Sequence, residues 1–184
     1  MSVFVFLAEG FEEIEALTAV DILRRSGVDC KTVSIGQSLM VAGAHGIPVK
    51  ADMLFENQAG LKAADMLILP GGMPGTKNLA MHEGLCGLLA EAFRDGRYIA
   101  AICAAPSILG RLGILSGKTA VCFPGYEKEL AGATIGSDSV VQDGTVITSK
   151  GAGTVFDFAL KLAEILKGAA VSQKLKKDMQ YDTL

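Results

Sequence analysis

Short apolar runs that end in turn residues and lead into helical patterns recur along this chain, and that order constrains its fold more than any other feature. Residues 2–7, 29–35, 66–69 and 98–102 read as strands. The runs Met66-Leu-Ile-Leu69 and Ile99-Ala-Ala-Ile102 contain no polar residue, so both faces of those strands are expected to be covered. Helical patterns follow at residues 12–26 (closed by Gly27), 82–94, 106–112, 154–166 and 169–176, with Phe156, Leu160 and Ala163 on one face of the fourth. Residues 36–62 read as irregular, with short extended pieces near 39–41 and 49–51. Further strand pieces are expected near 119–122, 140–142 and 146–148, the last two joined through Asp143-Gly144, a hairpin signal. Strand–helix alternation of this kind predicts a doubly wound, mostly parallel sheet sandwiched by helices. The 184 residues suit one domain over 1–184, with no internal repeat and no linker.

Ligands of such sheets bind beyond the carboxyl ends of the strands. Three unusual segments fall at predicted strand ends: residues 9–15, 70–75 and 103–106. The last is the most informative. Ile99-Ala-Ala-Ile-Cys103-Ala-Ala-Pro106 places a thiol between a buried strand and a proline suited to the first turn of a helix. That is the layout of a nucleophile elbow, with small residues on either side of the corner. Nearby free amides and a helix N-terminus favour an anion, which predicts an acidified, nucleophilic Cys103.

On a helical wheel for residues 12–26, Asp21, Arg24 and Arg25 share a polar side, whereas Glu15 falls beside Ala19 and Ile22. A carboxyl among apolar residues holds its proton more tightly, so Glu15 reads as a neutral acid able to exchange a proton with a substrate. The alternative is an ordinary first-turn acid, a part that Glu12 and Glu13 fit better. Pro70-Gly71-Gly72-Met73-Pro74-Gly75 lacks the Lys and Ser/Thr of a phosphate loop and is not G-x-G-x-x-G. It can supply backbone amides to an oxyanion, or serve only as a strand-to-helix turn.

Other functions are disfavoured. A net charge of −3 gives no basic surface for nucleic acid or an anionic membrane. The most apolar stretch, residues 99–115, is interrupted by Pro106, Gly110, Arg111 and Gly113, and no basic leader precedes the first strand, so a cytoplasmic protein is expected. The four cysteines (Cys30, Cys86, Cys103, Cys122) form no C-x-x-C pair, and Cys30 reads as a core residue. His82 and Cys86 lie one helical turn apart without a third ligand, so neither a metal nor any other cofactor is expected. His45, in the loop Ala42-Gly-Ala-His-Gly46, is free to approach a site.

Glu9-Gly-Phe-Glu-Glu-Ile-Glu15, Asp21-Ile-Leu-Arg-Arg25, Leu69-Pro-Gly-Gly72, Ala101-Ile-Cys-Ala-Ala-Pro106 and Thr148-Ser-Lys-Gly-Ala-Gly-Thr154 occur in this order. In them the chain resembles the DJ-1/ThiJ/PfpI superfamily, in its DJ-1-like branch, over almost its whole length. The resemblance implies a flavodoxin-like α/β sandwich and a homodimer. It implies a reactive Cys103, a protonated Glu15, and an oxyanion or substrate-binding pocket at Gly71, Gly72 and Ala104. The implied activities are cofactor-independent glyoxalase chemistry on methylglyoxal or glyoxal, deglycase chemistry on their adducts, or oxidative-stress sensing and chaperoning without turnover. A scaffold with a vestigial site is the bland alternative. Where the protease-like branch has a histidine after the cysteine this chain has Ala104, which argues against a peptidase. Where some DJ-1 proteins have a histidine this chain has Phe123. The family often supplies a basic residue across the dimer at the place of His45, which makes His45 a candidate catalytic partner from the second subunit. The helix with Arg24 and Arg25 matches a dimer helix, which would account for Leu17 on its charged side.

Overall fold

The computed structural model describes residues 1–56 and 60–181; residues 57–59, inside the stretch expected to be irregular, and 182–184 lie outside the described residues. Strands β1 (Ser2–Leu7), β2 (Asp29–Ser34), β3 (Met40–Ala42), β4 (Pro48–Lys50), β5 (Met53–Leu54), β6 (Met66–Leu69), β7 (Tyr98–Ile102), β8 (Thr119–Ala120), β9 (Thr134–Ile135), β10 (Val140–Asp143) and β11 (Val146–Ser149) alternate with six α-helices. These are α1 (Glu13–Arg25), α2 (Gly75–Met81), α3 (Glu83–Arg94), α4 (Pro106–Arg111), α5 (Val155–Lys167) and α6 (Ala169–Asp178). The main sheet has seven strands in the order β10-β11-β7-β6-β1-β2-β5. Its pairings are parallel except for the β10–β11 hairpin, which turns after Asp143 where the Asp-Gly signal placed it.

The side-chain period of two divides the core into two layers. Val3, Val5 and Leu7 of β1, with Met66, Ile68, Ala100 and Ile102, pack under α1 and α5. Phe4 and Phe6, with Leu67, Leu69, Ile99 and Ala101, face α3 and α4. The uninterrupted apolar runs of β6 and β7 are thus explained: each is covered on both faces.

Three expectations need correction. The expected helix at 82–94 is preceded by a separate helix, α2. His82 divides the two: its backbone is extended (φ −82°, ψ 96°), and its Nδ1 accepts from the Leu85 N–H at 3.0 Å, capping α3. That cap also accounts for the His82–Cys86 spacing without a metal. The segment at 119–122 contributes only Thr119–Ala120, which pairs with Thr134–Ile135 in a separate small sheet. On α5 it is Phe158, with Leu160 and Ala163, that is buried; Phe156 is exposed and stacks on Tyr181 with ring centroids 5.5 Å apart.

Candidate active site

β1, β6 and β7 are neighbours in the sheet, so the segments after their carboxyl ends meet at one place. The loops brace one another through the backbone. Glu12 N–H donates to Gly71 O at 2.9 Å, and Gly75 N–H donates to Gly10 O at 3.1 Å. Gly72 has φ +89°, and a Cβ there would lie 2.3 Å from the Glu12 nitrogen, so only glycine fits the crossing.

Cys103 occupies the elbow. It is a non-glycine residue at φ +66°, a left-handed conformation that a helix or strand would not impose. Its backbone is held on both sides: its N–H donates to Ser149 O at 3.0 Å, and its carbonyl accepts from Phe123 N–H at 2.7 Å. Only Ala104 and Ala105 separate it from α4, which Pro106 opens as expected.

Glu15 meets this thiol from α1. The α1 N-cap is Glu12, whose Oε2 accepts from the Glu15 N–H at 2.7 Å and fixes the first turn. The Glu15 residue is 1% exposed. Its Oε2 accepts from Gly71 N–H at 2.8 Å, and its Oε1 has no hydrogen-bond partner. A Cβ on Gly71 would lie 2.7 Å from that Oε2 and 2.6 Å from Cys103 Cβ, so the missing side chain lets carboxyl and thiol approach. Burial raises the Glu15 carboxyl from 4.5 to about 7, against the Gly71 amide and the Cys103 thiol, which favour its charged form.

The thiol differs from the sequence expectation. Burial, and then the neighbouring Glu15 carboxylate, push Cys103 up to about 12. The Ala104 and Gly72 amides do act on the sulfur in the expected, acidifying direction, but the other two effects outweigh them. The two groups behave as one proton-sharing unit. Loss of the first proton near 7 leaves a single proton between carboxyl and sulfur, and the thiolate forms when Glu15 holds it.

One further expectation changes, and His45 has a partner within its own chain. The Gly71 amide is taken by Glu15, leaving Gly72 and Ala104 as the amides directed at the sulfur. His45 is bound within its own chain rather than to Cys103: its Nδ1 lies 2.7 Å from Glu13 Oε2 and its N–H donates to Glu13 Oε1 at 2.8 Å. Glu13 is therefore no ordinary first-turn acid. It is buried, and it ties the 43–47 loop to α1, also accepting from Ile47 N–H at 3.4 Å. Hydrogen bonding lowers its carboxyl despite burial and raises the His45 imidazole. Glu12, Glu13 and His45 bring three ligand-capable atoms within 4.8 Å of one another, an arrangement these hydrogen bonds account for.

Cys30 is buried, as expected, with its thiol raised to about 12 by burial. The larger cavities lie elsewhere: one of about 330 Å³ beside Ser34, Gln37 and Asn78, another of about 320 Å³ beside Met1, Arg97 and Tyr98. Neither is lined by Cys103 or Glu15, and the chemistry points to the elbow. Among the described residues no helix is long and apolar enough to cross a membrane.

A mostly parallel sheet with helices on both faces, a cysteine at a strained elbow and a buried carboxyl against it define a flavodoxin-like α/β protein with a candidate nucleophilic centre. The family model for the DJ-1/PfpI family matches residues 1–165, and the chain belongs to that family. It is 35% identical over 173 residues to "Glutathione-independent glyoxalase DJR-1.2" of Caenorhabditis elegans, covering 93% of this chain and 91% of that protein. It is 37% identical over 168 residues to "Protein DJ-1 homolog B" of Arabidopsis thaliana, covering 90% of this chain but only 38% of that longer protein. The solved structure "Toxoplasma gondii DJ-1, oxidized" superposes with a TM-score of 0.93 at 33% identity, over 98% of each chain.

Proposed function

We propose that this protein is a cofactor-independent enzyme acting on small 2-oxoaldehydes such as methylglyoxal, with Cys103 as nucleophile and Glu15 as proton carrier. The observation that carries the reading is the Glu15 carboxyl, buried against Cys103 with one oxygen on the Gly71 amide and the other unpartnered. A carboxyl raised to about 7 can give and take a proton near neutrality. The glyoxalase name of the Caenorhabditis elegans relative supports the same chemistry.

The Cys103 sulfur adds to the aldehyde carbon, and the carbonyl electrons move to oxygen beside the Gly72 and Ala104 amides. Glu15 gives its proton to this alkoxide, forming a hemithioacetal. As carboxylate it then takes the hydrogen on the same carbon as a proton, leaving an enediolate with the charge on the second oxygen, and returns it to the neighbouring carbon. The proton of the first hydroxyl passes to the second oxygen, which yields a 2-hydroxy thioester. Water cleaves it to the hydroxy acid and restores the thiol. Adducts of the same aldehydes with amines or thiols would enter by the same route. We extend the proposal to a homodimer, which the exposed Ile14 and Leu17 on α1 favour.

Purified protein incubated with methylglyoxal should form lactate, and Cys103→Ala and Glu15→Gln should each remove that activity. Equal lactate formation by either variant overturns the assignment.

A second reading is favoured by the two amides at the sulfur, which would equally hold an oxidised cysteine. Two equivalents of peroxide convert a thiolate to sulfinate with loss of water, and the Toxoplasma gondii DJ-1 of similar structure is an oxidised form of that protein. Mild peroxide should then add two oxygens at Cys103 ahead of the other cysteines, by peptide mass; equal uptake at all four would refute this.

A further inference from the structure

The segment after β1 carries a carboxylate that the elbow does not use. Glu9 lines the cavity of about 330 Å³ that lies at the carboxyl ends of β1 and β2, where Leu7 and Ser34 are register partners. Four elements contribute to it: Ala8 and Glu9 follow β1, residues 34–38 end and follow β2, Met40 and Val41 belong to β3, and Asn78 to α2. Its volume falls at the lower end of the range for small-ligand sites, about 300–1,000 Å³. The ends of parallel strands are also where such sheets place ligands. Ala8, Ile35, Met40 and Val41 give the cavity apolar walls. Its charge is of one sign, because no lysine, arginine or histidine lines it. Ser34 is spent within the wall: its Oγ donates to Ser38 O at 2.7 Å and accepts from Gly36 N–H at 3.3 Å. Asn78 Nδ2 donates to Glu9 O at 2.9 Å, and its Oδ1 accepts from no donor among the described residues. Glu9 Oε2 accepts from Ala42 N–H at 3.1 Å, and among the described residues the carboxylate meets no cation. A carboxylate and an amide oxygen are thus left unspent beside an apolar recess.

We propose that this cavity is a second ligand site, which takes a small organic cation: a primary ammonium group on the Glu9 carboxylate, and an apolar body of phenethyl size on Ile35, Met40 and Val41. An ammonium group only donates, and Glu9 and Asn78 hold the acceptors that the cavity leaves unspent. A carboxylate beside low-dielectric walls attracts a cation more strongly than it would in open water, and it repels an anion. The body of the ligand releases water from apolar side chains, of which Met40 is 48% exposed. A neutral alcohol of the same shape keeps the apolar contact and loses the ionic one. Neither Cys103 nor Glu15 lines the cavity, so binding here is independent of the carbonyl chemistry proposed for the elbow.

Phenethylamine, 2-phenylethanol and phenylacetate share one ring and differ in charge, which makes them the probes. Each is titrated into the isotope-labelled full chain at low salt and neutral pH, and amide shifts are followed by NMR. Phenethylamine should shift the amides of residues 35–38 and the Asn78 side-chain amide saturably, with a Kd of about 10 mM or tighter. The alcohol should bind about 5- to 10-fold more weakly, and phenylacetate should leave those amides unshifted. Glu9→Gln keeps an acceptor for Ala42 N–H and removes the charge, so it should bring the amine down to the affinity of the alcohol and change the alcohol by less than about twofold. A Cβ on Gly36 meets only Ser34 Oγ, at 3.7 Å, an ordinary contact. Gly36→Leu therefore adds an isobutyl group to the wall without a clash at Cβ, and it should weaken amine and alcohol alike by about tenfold or more. The site is overturned if wild type shows no saturable shift at these amides, or if the alcohol or phenylacetate binds as tightly as the amine. Wild-type affinity for the amine in Glu9→Gln or in Gly36→Leu overturns it equally. The titration reads binding and not turnover, so a protein that consumes no aldehyde refutes the carbonyl reading and leaves this result standing.

Discussion

Glu15→Gln should make this protein more stable at alkaline pH while removing its proposed chemistry. The Glu15 carboxyl is raised from 4.5 to about 7 in the folded chain, chiefly by burial. A group whose folded pKa lies above its unfolded value binds protons more tightly when folded. Between about pH 4.5 and 7 the folded state therefore carries the extra proton, and stability falls as pH rises through that window. At 1.36 kcal/mol per unit the shift is worth about 3 kcal/mol, fully lost above pH 7. Glutamine has nearly the same shape and no charge. Its carbonyl oxygen can keep the bond from Gly71 N–H, and its amide would take the place of the unpartnered Oε1. A buried amide with unmade hydrogen bonds costs about 1–3 kcal/mol, so the net gain at pH 8 is about 1–2 kcal/mol. For a chain of this length that is a rise in Tm of about 2–8 °C. Urea unfolding of both proteins at pH 5 and pH 8 isolates the effect, because pH-dependent contributions from other carboxyls cancel in the difference. The Glu15→Gln protein should gain about 2.5 kcal/mol relative to wild type between pH 5 and pH 8, part of the shift being lost already at pH 5. An equal difference at the two pH values would refute the assignment of Glu15 as a carboxyl held neutral by burial.

The same charge acts on the thiol. In Glu15→Gln the repulsion from the carboxylate is gone, so the pH midpoint of Cys103 alkylation by iodoacetamide should fall below that of wild type; an unchanged or higher midpoint would show that Glu15 does not hold the thiol up. Glu13→Gln replaces charged with neutral acceptors for His45 and Ile47 and should cost about 1–3 kcal/mol in urea unfolding at pH 7, with faster proteolysis in the 43–47 loop. Because the Glu13 carboxyl is lowered, that cost should shrink as acid protonates it in the wild type, and a cost that stays constant down to pH 3 would contradict the pairing. Gly72→Ala should be among the most damaging substitutions. Its Cβ would meet the Glu12 nitrogen at 2.3 Å and the Gly10 carbonyl oxygen at 2.6 Å, from a residue at φ +89°, so more than about 3 kcal/mol is expected, and a Tm within a few degrees of wild type would refute the crossing.

The layered sheet was legible because its signals are local and redundant. The polar-free runs of β6 and β7, the Asp-Gly hairpin and Pro106 at the start of α4 each state their conformation within a few residues. Glu15 was legible for a similar reason, since one helical wheel separates it from Asp21 and the arginines. His82 was harder to read, because a histidine that ends α2 and caps α3 looks in sequence like one more helical residue. The 9–15 and 43–47 segments posed a different problem. Nothing local pairs Glu13 with His45, thirty-two residues apart; the bridge between Phe11 and Gly43 and the bond from Gly10 N–H to Ala42 O bring them together.

The acidity of Cys103 was misread for the deepest reason. An elbow beside free amides predicts a lowered thiol, and those amides are present. The sign of the sum depends on how far water is excluded and on which partner of a shared proton is charged, and both are properties of the assembled site. Burial raises the thiol most, and the charge that adds to it belongs to the same Glu15 identified as its partner. A carboxyl that suppresses the thiolate while charged, and permits it while protonated, couples nucleophile formation to the loading of the proton that the proposed reaction then moves. The Oε1 of that carboxyl makes no hydrogen bond, which leaves one carboxyl oxygen uncommitted within the buried site.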